Sequence, residues 1–245
     1  MTDYENFSKL MIEEFEKKLG IVLSERQCQD FFTFMNLLLE KNKVMNLTAI
    51  TEPSEVVIRH FVDSSILLKL FGKESFDGKK VIDVGTGAGF PGLPLAILLK
   101  ETDFVLSDTL GKRIAFLEEV IGSIKIKNVR LIKGRAEDLA HDKNYRERFD
   151  FVVSRGVAKV SVLSEYTIPF INVGGKALFY KMADCDAELQ DGDNAIKKLG
   201  GMFHVKHPYT LISDEPERCI LEIIKNSPTL KSFPRKAGLP SKEPL

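Results

Sequence analysis

Val81-Ile82-Asp83-Val84-Gly85-Thr86-Gly87-Ala88-Gly89-Phe90-Pro91-Gly92 is the stretch that decides the fold of this chain. A short apolar run ends at Val84, glycine recurs at 85, 87 and 89, and an apolar helical run follows over residues 93–99. Glycine at such places lets the backbone turn tightly and approach a ligand closely. The helix behind it offers free N–H groups to an anion. A bare glycine motif is weak, but three glycines at one strand-to-helix junction exceed what a plain turn requires.

Working outward, short apolar runs alternate with helical stretches. Strands are predicted over 80–84, 104–108, 129–133, 149–154 and 176–182, with helices over 91–100, 112–121, 160–171 and 187–199 and a short helical turn through Leu139. Two further strands, 202–211 and 218–225, follow with no helix between them. Strands that alternate with helices imply a parallel sheet covered on both faces. The last pair implies one antiparallel member, so the fold class is α/β with a mostly parallel seven-stranded sheet.

Residues 1–72 read as a helical extension. Phe7, Leu10, Met11, Phe15 and Leu19 recur at helical spacing, which marks one buried stripe. Ser24-Glu25-Arg26-Gln27 is a capping box, and the helix behind it carries Phe31, Phe32, Phe34, Met35, Leu38 and Leu39. That stripe reads as core, because a helix of this pattern has to bury one face. Residues 73–226 then form the ligand-binding domain. Residues 227–245 lose all periodicity, and Pro228, Pro234, Pro240 and Pro244 suggest a tail.

Composition narrows the classes. The 245 residues are 44% hydrophobic and 29% charged, which excludes wholesale disorder. No apolar run approaches the ~18 residues of a membrane span, and the first residues lack a basic and apolar leader pattern. Cys28, Cys185 and Cys219 are scattered, so a reducing, cytoplasmic setting without disulfides is expected. No residues stand at metal-ligand spacing, and no metal is expected. His204 and His207, three apart in a strand, should point to opposite faces. With 35 basic and 35 acidic residues the formal charge is zero, so any nucleic-acid contact has to be local.

Two ligands compete for the glycine loop, a dinucleotide and S-adenosylmethionine. The third glycine of a dinucleotide fingerprint would fall on Phe90. Asp83, two residues before the loop, suits a ligand ammonium and would repel a pyrophosphate. Asp108 ends the second strand, 19 residues after Gly89, where an acid accepts ribose hydroxyls; both ligands carry that ribose. Ala136 and Glu137 follow the third strand, where an adenine would lie. Arg155 ends the fourth strand and is able to hold a carboxylate, a phosphate or a base edge. No Asn/Asp-Pro-Pro-aromatic signature and no cysteine nucleophile stands at this place.

These residues resemble a known family, the bacterial 16S ribosomal RNA guanine-N7 methyltransferases of the RsmG type, also called glucose-inhibited division protein B. The resemblance rests on Asn46-Leu-Thr-Ala-Ile50, His60-Phe-Val-Asp-Ser64, the glycine loop with its Phe-Pro-Gly-Leu-Pro continuation, and Asp108-Thr-Leu-Gly-Lys-Arg-Ile-Ala-Phe-Leu117. It continues through Gly134-Arg-Ala-Glu137, Ser154-Arg155, Tyr180-Lys181 and Pro234-Arg-Lys-Ala-Gly-Leu-Pro240. Gly156 departs from it, since alanine is expected there.

The resemblance implies a class I methyltransferase Rossmann-like fold, S-adenosylmethionine as methyl donor, and a guanine of small-subunit ribosomal RNA, free or in a ribosomal particle, as acceptor. It implies that Gly85 and Phe90 line the methionine end, Asp108 holds the ribose, Ala136 and Glu137 contact adenine, and Arg155 closes the site near the substrate. Asp83 and Gly87 belong to the same cofactor loop. Guanine N7 has a free lone pair, so direct in-line attack needs no base and no covalent nucleophile. No catalytic residue is expected.

For RNA contact, Lys181 at the fifth strand end and Arg235 and Lys236 in the basic tail are the candidates. A monomer is expected. Methylation of a protein or small molecule, or a non-catalytic ribosome-associated module, are the competing functions.

Overall fold

A computed structural model describes residues 3–245, so the first two residues of the expected helical extension lie outside the described part. Seven strands form one sheet: β1 (Lys80–Val84), β2 (Asp103–Asp108), β3 (Val129–Lys133), β4 (Phe149–Arg155), β5 (Ile171–Met182), β6 (Gly201–Tyr209) and β7 (Arg218–Lys225). Their spatial order is β3-β2-β1-β4-β5-β7-β6. The pairs from β3 across to β5 are parallel, and β7 runs antiparallel to both β5 and β6. The direction of the chain reverses between β1 and β4, the switch point where such sheets hold ligands outside their carboxyl ends.

Side chains alternate across the sheet, as strand geometry requires. Val81, Leu178, Tyr180 and Ile220 face one layer, while Ile82, Ala177, Phe179 and Leu221 face the other. The first layer holds α1 (Asp3–Leu19), α2 (Glu25–Met45), α3 (Pro53–Val56), α4 (Asp63–Phe71), α5 (Gly92–Leu98) and α6 (Gly111–Ile124). The second face carries α8 (Val160–Thr167) and α9 (Asp186–Lys198), with the short α7 (Ala136–Leu139) at its edge.

The N-terminal helices therefore share a core with the sheet rather than standing apart from it. Helix α2 begins on the expected capping box: Gln27 N–H donates to Ser24 Oγ at 3.3 Å and Ser24 N–H to Gln27 Oε1 at 2.9 Å. It ends at Asn46 in the left-handed region (φ 48°). Its Phe31 and Phe34 meet Phe61 with ring centroids at 4.8 and 5.5 Å, and all three rings are fully buried. Truncating any one of them to alanine should cost about 3–5 kcal/mol. Between α3 and α4 the helix widens into a π-helical turn, Val57–Val62.

Three expectations need correcting. The helix expected over 160–171 stops at Thr167, and a 3-10 turn, Ile168–Phe170, follows it. Pro169 lies in that turn and offers no N–H to an α-helical ladder. Strand β6 carries a bulge between Phe203 and Val205, so the simple alternation between His204 and His207 is broken. His204 is exposed, while His207 Nε2 lies 2.7 Å from Glu222 Oε2.

The third correction concerns residues 227–245, which are strapped to the second layer rather than free. Arg146 donates to the carbonyls of Thr229, Leu230 and Phe233. His141 contacts Pro234 O at 2.8 Å, and a last short helix, α10 (Leu239–Lys242), follows. Lys225 is buried and bonds Glu147, Thr229 and Ile168 O at 2.9, 2.7 and 3.1 Å. No helix among the described residues is long and apolar enough to cross a membrane.

Candidate active site

A cavity of about 320 Å³ opens where β1, β2, β3 and β4 end. It falls within the usual 300–1,000 Å³ of small-ligand sites. Val84 and Gly85 form one end, Asp108 and Arg113 the middle, and Arg135, Ala136 and Glu137 the other. Gly85 has φ 74°, and a Cβ there would come within 2.7 Å of Val157; only glycine lets the two loops meet so closely.

Asp108 is nearly buried and works on both sides of the cavity. Its Oδ1 accepts from Leu110 N–H at 2.9 Å, and its Oδ2 from Gly87 N–H at 3.0 Å and Arg113 at 3.1 Å. A carboxylate has about four lone-pair sites, so room remains for a ligand hydroxyl. Glu137 is tied from behind: its Oε1 accepts from Gly238 N–H in the C-terminal strap at 2.8 Å. The strap thus holds the far wall of the cavity.

Asp83 is not where its sequence position suggested. It is fully buried, and its Oδ2 accepts from Thr86 Oγ at 2.7 Å and from Gly92 N–H at 2.8 Å. It stitches the glycine loop to α5 and stands outside the cavity lining. Its Oδ1 is buried with no hydrogen-bond partner. Desolvation weakens it as an acid and raises its pKa to about 7, against the pull of the Thr86 and Gly92 bonds. Phe90 is also displaced from the expected ligand wall. It is 7% exposed and packs between Phe34 (5.3 Å) and His60 (4.4 Å), as an apolar ring beside other rings should.

A second cavity of about 260 Å³ lies beside the first and shares Gly156 with it. Gly156 has φ 69°, and a Cβ there meets nothing within 4 Å, so its glycine serves the left-handed backbone rather than tight packing. Arg155, Lys181 and Arg218 line this cavity together with Asp63 and Tyr209. Asp63 is buried and central: Arg155 and Arg218 donate to its Oδ2 at 2.7 and 3.0 Å, and Tyr209 to its Oδ1 at 2.8 Å. Three cations against one carboxylate leave the lining formally at +2. Lys181 is restrained by Ala158 O at 2.7 Å and by an ion pair with Glu188.

The two tail candidates part company. Arg235 is committed to the fully buried Glu165, with its backbone N–H at 2.6 Å and its guanidinium at 2.7–3.1 Å. Held this way through Nε and Nη2, the guanidinium anchors the strap to Glu165, a structural task that the sequence did not suggest. Lys236 is exposed. With Lys225 also buried, the local charge expected of the tail is carried by Lys231, Lys236 and Lys242 against Glu243.

The family model described as "rRNA small subunit methyltransferase G" matches residues 27–210. The chain belongs to this family. Ribosomal RNA small subunit methyltransferase G of Lactococcus lactis subsp. cremoris is 44% identical over 225 residues, covering 92% of this chain and 94% of the relative. That of Desulfitobacterium hafniense is 43% identical over 229 residues, covering 94% of each. Among solved structures, M. jannaschii TYW2 in complex with AdoMet aligns with a TM-score of 0.51 at 15% identity, covering 64% of this chain and 75% of that one. That likeness shows the class I methyltransferase fold.

Members of the methyltransferase G family use S-adenosylmethionine, and the residues present fit it. The donor set offers a carboxylate at mid-cavity, loop backbone at one end and a restrained acid at the other. Of the residues singled out from sequence, Gly85, Asp108, Ala136 and Glu137 line the first cavity. Gly87 reaches it through Asp108. Arg155 and Lys181 line its neighbour. Asp63, Tyr209 and Arg218 were missed. Only the His60-Phe-Val-Asp-Ser64 match touched one of them, because their convergence is set by long-range packing and not by spacing.

Proposed function

We infer that this chain transfers a methyl group from S-adenosylmethionine to N7 of a guanine in 16S ribosomal RNA. The observation that carries this reading is the pair of cavities meeting at Gly156, one built around an acid and the other around cations. When bound in the first, S-adenosylmethionine supplies an electrophilic methyl on a sulfonium sulfur.

The residues then have defined tasks. Asp108 accepts the ribose hydroxyls, Ala136 and Glu137 meet the adenine, and Val84 and Gly85 leave room for the methionine end. Asp83 and Phe90 support the loop from within the core. Arg155, Lys181 and Arg218 form the positive wall that receives the nucleotide, and Lys236 reaches the RNA backbone. The N7 lone pair is free at neutral pH, so no side chain has to remove a proton before attack. Positive charge migrates from sulfur to guanine and is not created, so a dedicated oxyanion site is not required. In-line positioning accounts for the rate, and such effective molarity is worth ~7–11 kcal/mol. The substrate is small-subunit ribosomal RNA, which puts the enzyme in the cytoplasm.

The test is tritium transfer from labelled S-adenosylmethionine to small subunits that lack the modification. Label should enter 16S RNA, and borohydride followed by aniline should cut the chain at one guanine. Label in ribosomal protein, with none in RNA, refutes the reading.

A further inference from the structure

His60 has no role in the chemistry above, yet its setting is unusual. It lies in the π-helical turn Val57–Val62, a geometry that is rare and recurs at functional sites. Its imidazole stacks on Phe90, with ring planes 20° apart. Both ring nitrogens are engaged: Nε2 lies 2.7 Å from Thr48 Oγ, and Nδ1 lies 3.3 Å from Arg155 Nη2.

Those two contacts assign the tautomer. A guanidinium has donors only, so Arg155 Nη2 donates and Nδ1 accepts. Nε2 therefore carries the proton and donates to Thr48, whose hydroxyl oxygen also accepts from Ile50 N–H at 3.0 Å. A proton on Nδ1 would set N–H against N–H beside a permanent cation. Burial first, and Arg155 second, lower the imidazole's basicity to about 3.

The same short segment supplies Arg155 with its other partners. Arg155 Nη1 donates to Asp63 Oδ2 at 2.7 Å and to Arg59 O at 3.2 Å. Its guanidinium carbon sits 5.1 Å from the Phe90 ring centre. Three of its five N–H groups are thus committed to residues 59, 60 and 63. The guanidinium plane is fixed, next to Gly156, where the two cavities meet.

We propose that His60 is a positioning residue: a neutral imidazole whose Nδ1 accepts from Arg155 and holds that guanidinium beside Phe90, in the wall between cofactor and guanine. The proposal rests on the reading that Arg155 faces the substrate. The N-terminal helices would then build part of the catalytic geometry and not only cover the sheet.

His60→Phe keeps a ring on Phe90 and removes both nitrogens. His60→Asn returns an acceptor, Oδ1, close to the place of Nδ1. We expect His60→Phe to lower kcat by about tenfold or more, the loss typical of a hydrogen bond to a charged group. Affinity for S-adenosylhomocysteine should stay near wild type, and the melting temperature should fall by only a few degrees, leaving the variant folded at the assay temperature. His60→Asn should recover most of the lost turnover.

In an Arg155→Lys background, His60→Phe should add nothing, because effects transmitted through one group do not sum. Normal kcat in His60→Phe, an additive double mutant, or Asn no better than Phe would each overturn the proposal. A second measurement is independent of activity: the ¹⁵N spectrum of histidine-labelled wild type should show His60 protonated on Nε2 alone from pH 5 to 8. A proton on Nδ1 overturns the proposal even if turnover behaves as expected. Absence of any transfer to RNA by wild type would sink the functional reading, and the spectrum would still decide the His60–Arg155 link.

Discussion

Arg235→Ala separates an anchored C terminus from a free RNA-binding tail. Glu165 has a fully buried side chain, and Arg235 supplies four of its contacts, one from backbone N–H and three from the guanidinium. Alanine removes those three and leaves the carboxylate inside the fold with the backbone donor of residue 235. Breaking one partner of a buried pair costs about 3–5 kcal/mol, and the surviving backbone bond argues for the lower end. For a chain of this size 1 kcal/mol moves Tm by about 2–4 °C, so a fall of roughly 6–12 °C is expected from ~3 kcal/mol. Thermal unfolding followed by circular dichroism measures it. Glu165→Gln combined with Arg235→Ala should regain part of the loss, since no charge is then stranded. Cofactor affinity should weaken as well, because Gly238 of the same strap restrains Glu137. An unchanged Tm together with weaker RNA binding would refute this argument and return Arg235 to the RNA.

Asp108→Asn should weaken S-adenosylhomocysteine binding about ten- to a hundredfold in calorimetric titration, the loss of a charge-assisted bond; its amide nitrogen must also face Leu110 N–H, Gly87 N–H or Arg113. Normal affinity would remove Asp108 from the ribose. Asp83 ionises near 3.9 when unfolded and near 7 when folded. Between those values unfolding releases a proton, so its contribution to stability is full below pH 4 and is lost as pH rises through 7. Wild type should therefore lose stability relative to Asp83→Asn by on the order of 4 kcal/mol across that window, and urea melts at pH 4.5 and 7.5 with equal differences would contradict it. Lys236→Ala should flatten the salt dependence of log K for RNA by roughly 0.7–0.9, one phosphate contact; parallel salt plots would leave Lys236 solvated.

The glycine loop, the alternation of strand and helix and the place of Asp108 were legible because each depends on a local period or on a backbone conformation special to glycine. Ser24 and Gln27 announced their helix start for the same reason. Asp83 and Phe90 misled, because sequence position fixes nearness to the loop but not the side of the sheet or helix on which a side chain lands. The C-terminal strap reads as a tail in the sequence since the partners of its backbone, Arg146, Glu165 and Glu137, lie 70–101 residues upstream and leave no period behind. Asp63 with Arg155, Tyr209 and Arg218 was hidden for a related reason: four residues from four elements converge only after the sheet has closed.

The strand order has a consequence for biosynthesis. Strand β6 precedes β7 in the chain, yet its ladder partner is β7, which lies between it and β5. As the polypeptide leaves the ribosome, amino-terminal segments are available to fold first. Strand β6 then waits without an edge to join until Arg218–Lys225 has been made. Over that interval Asp63 has Arg155 but not Arg218, and the cationic cavity is incomplete. A chain truncated before residue 218 would thus lose the use of two strands while missing the residues of one, and the newborn protein acquires its second cavity only after that segment has left the ribosome.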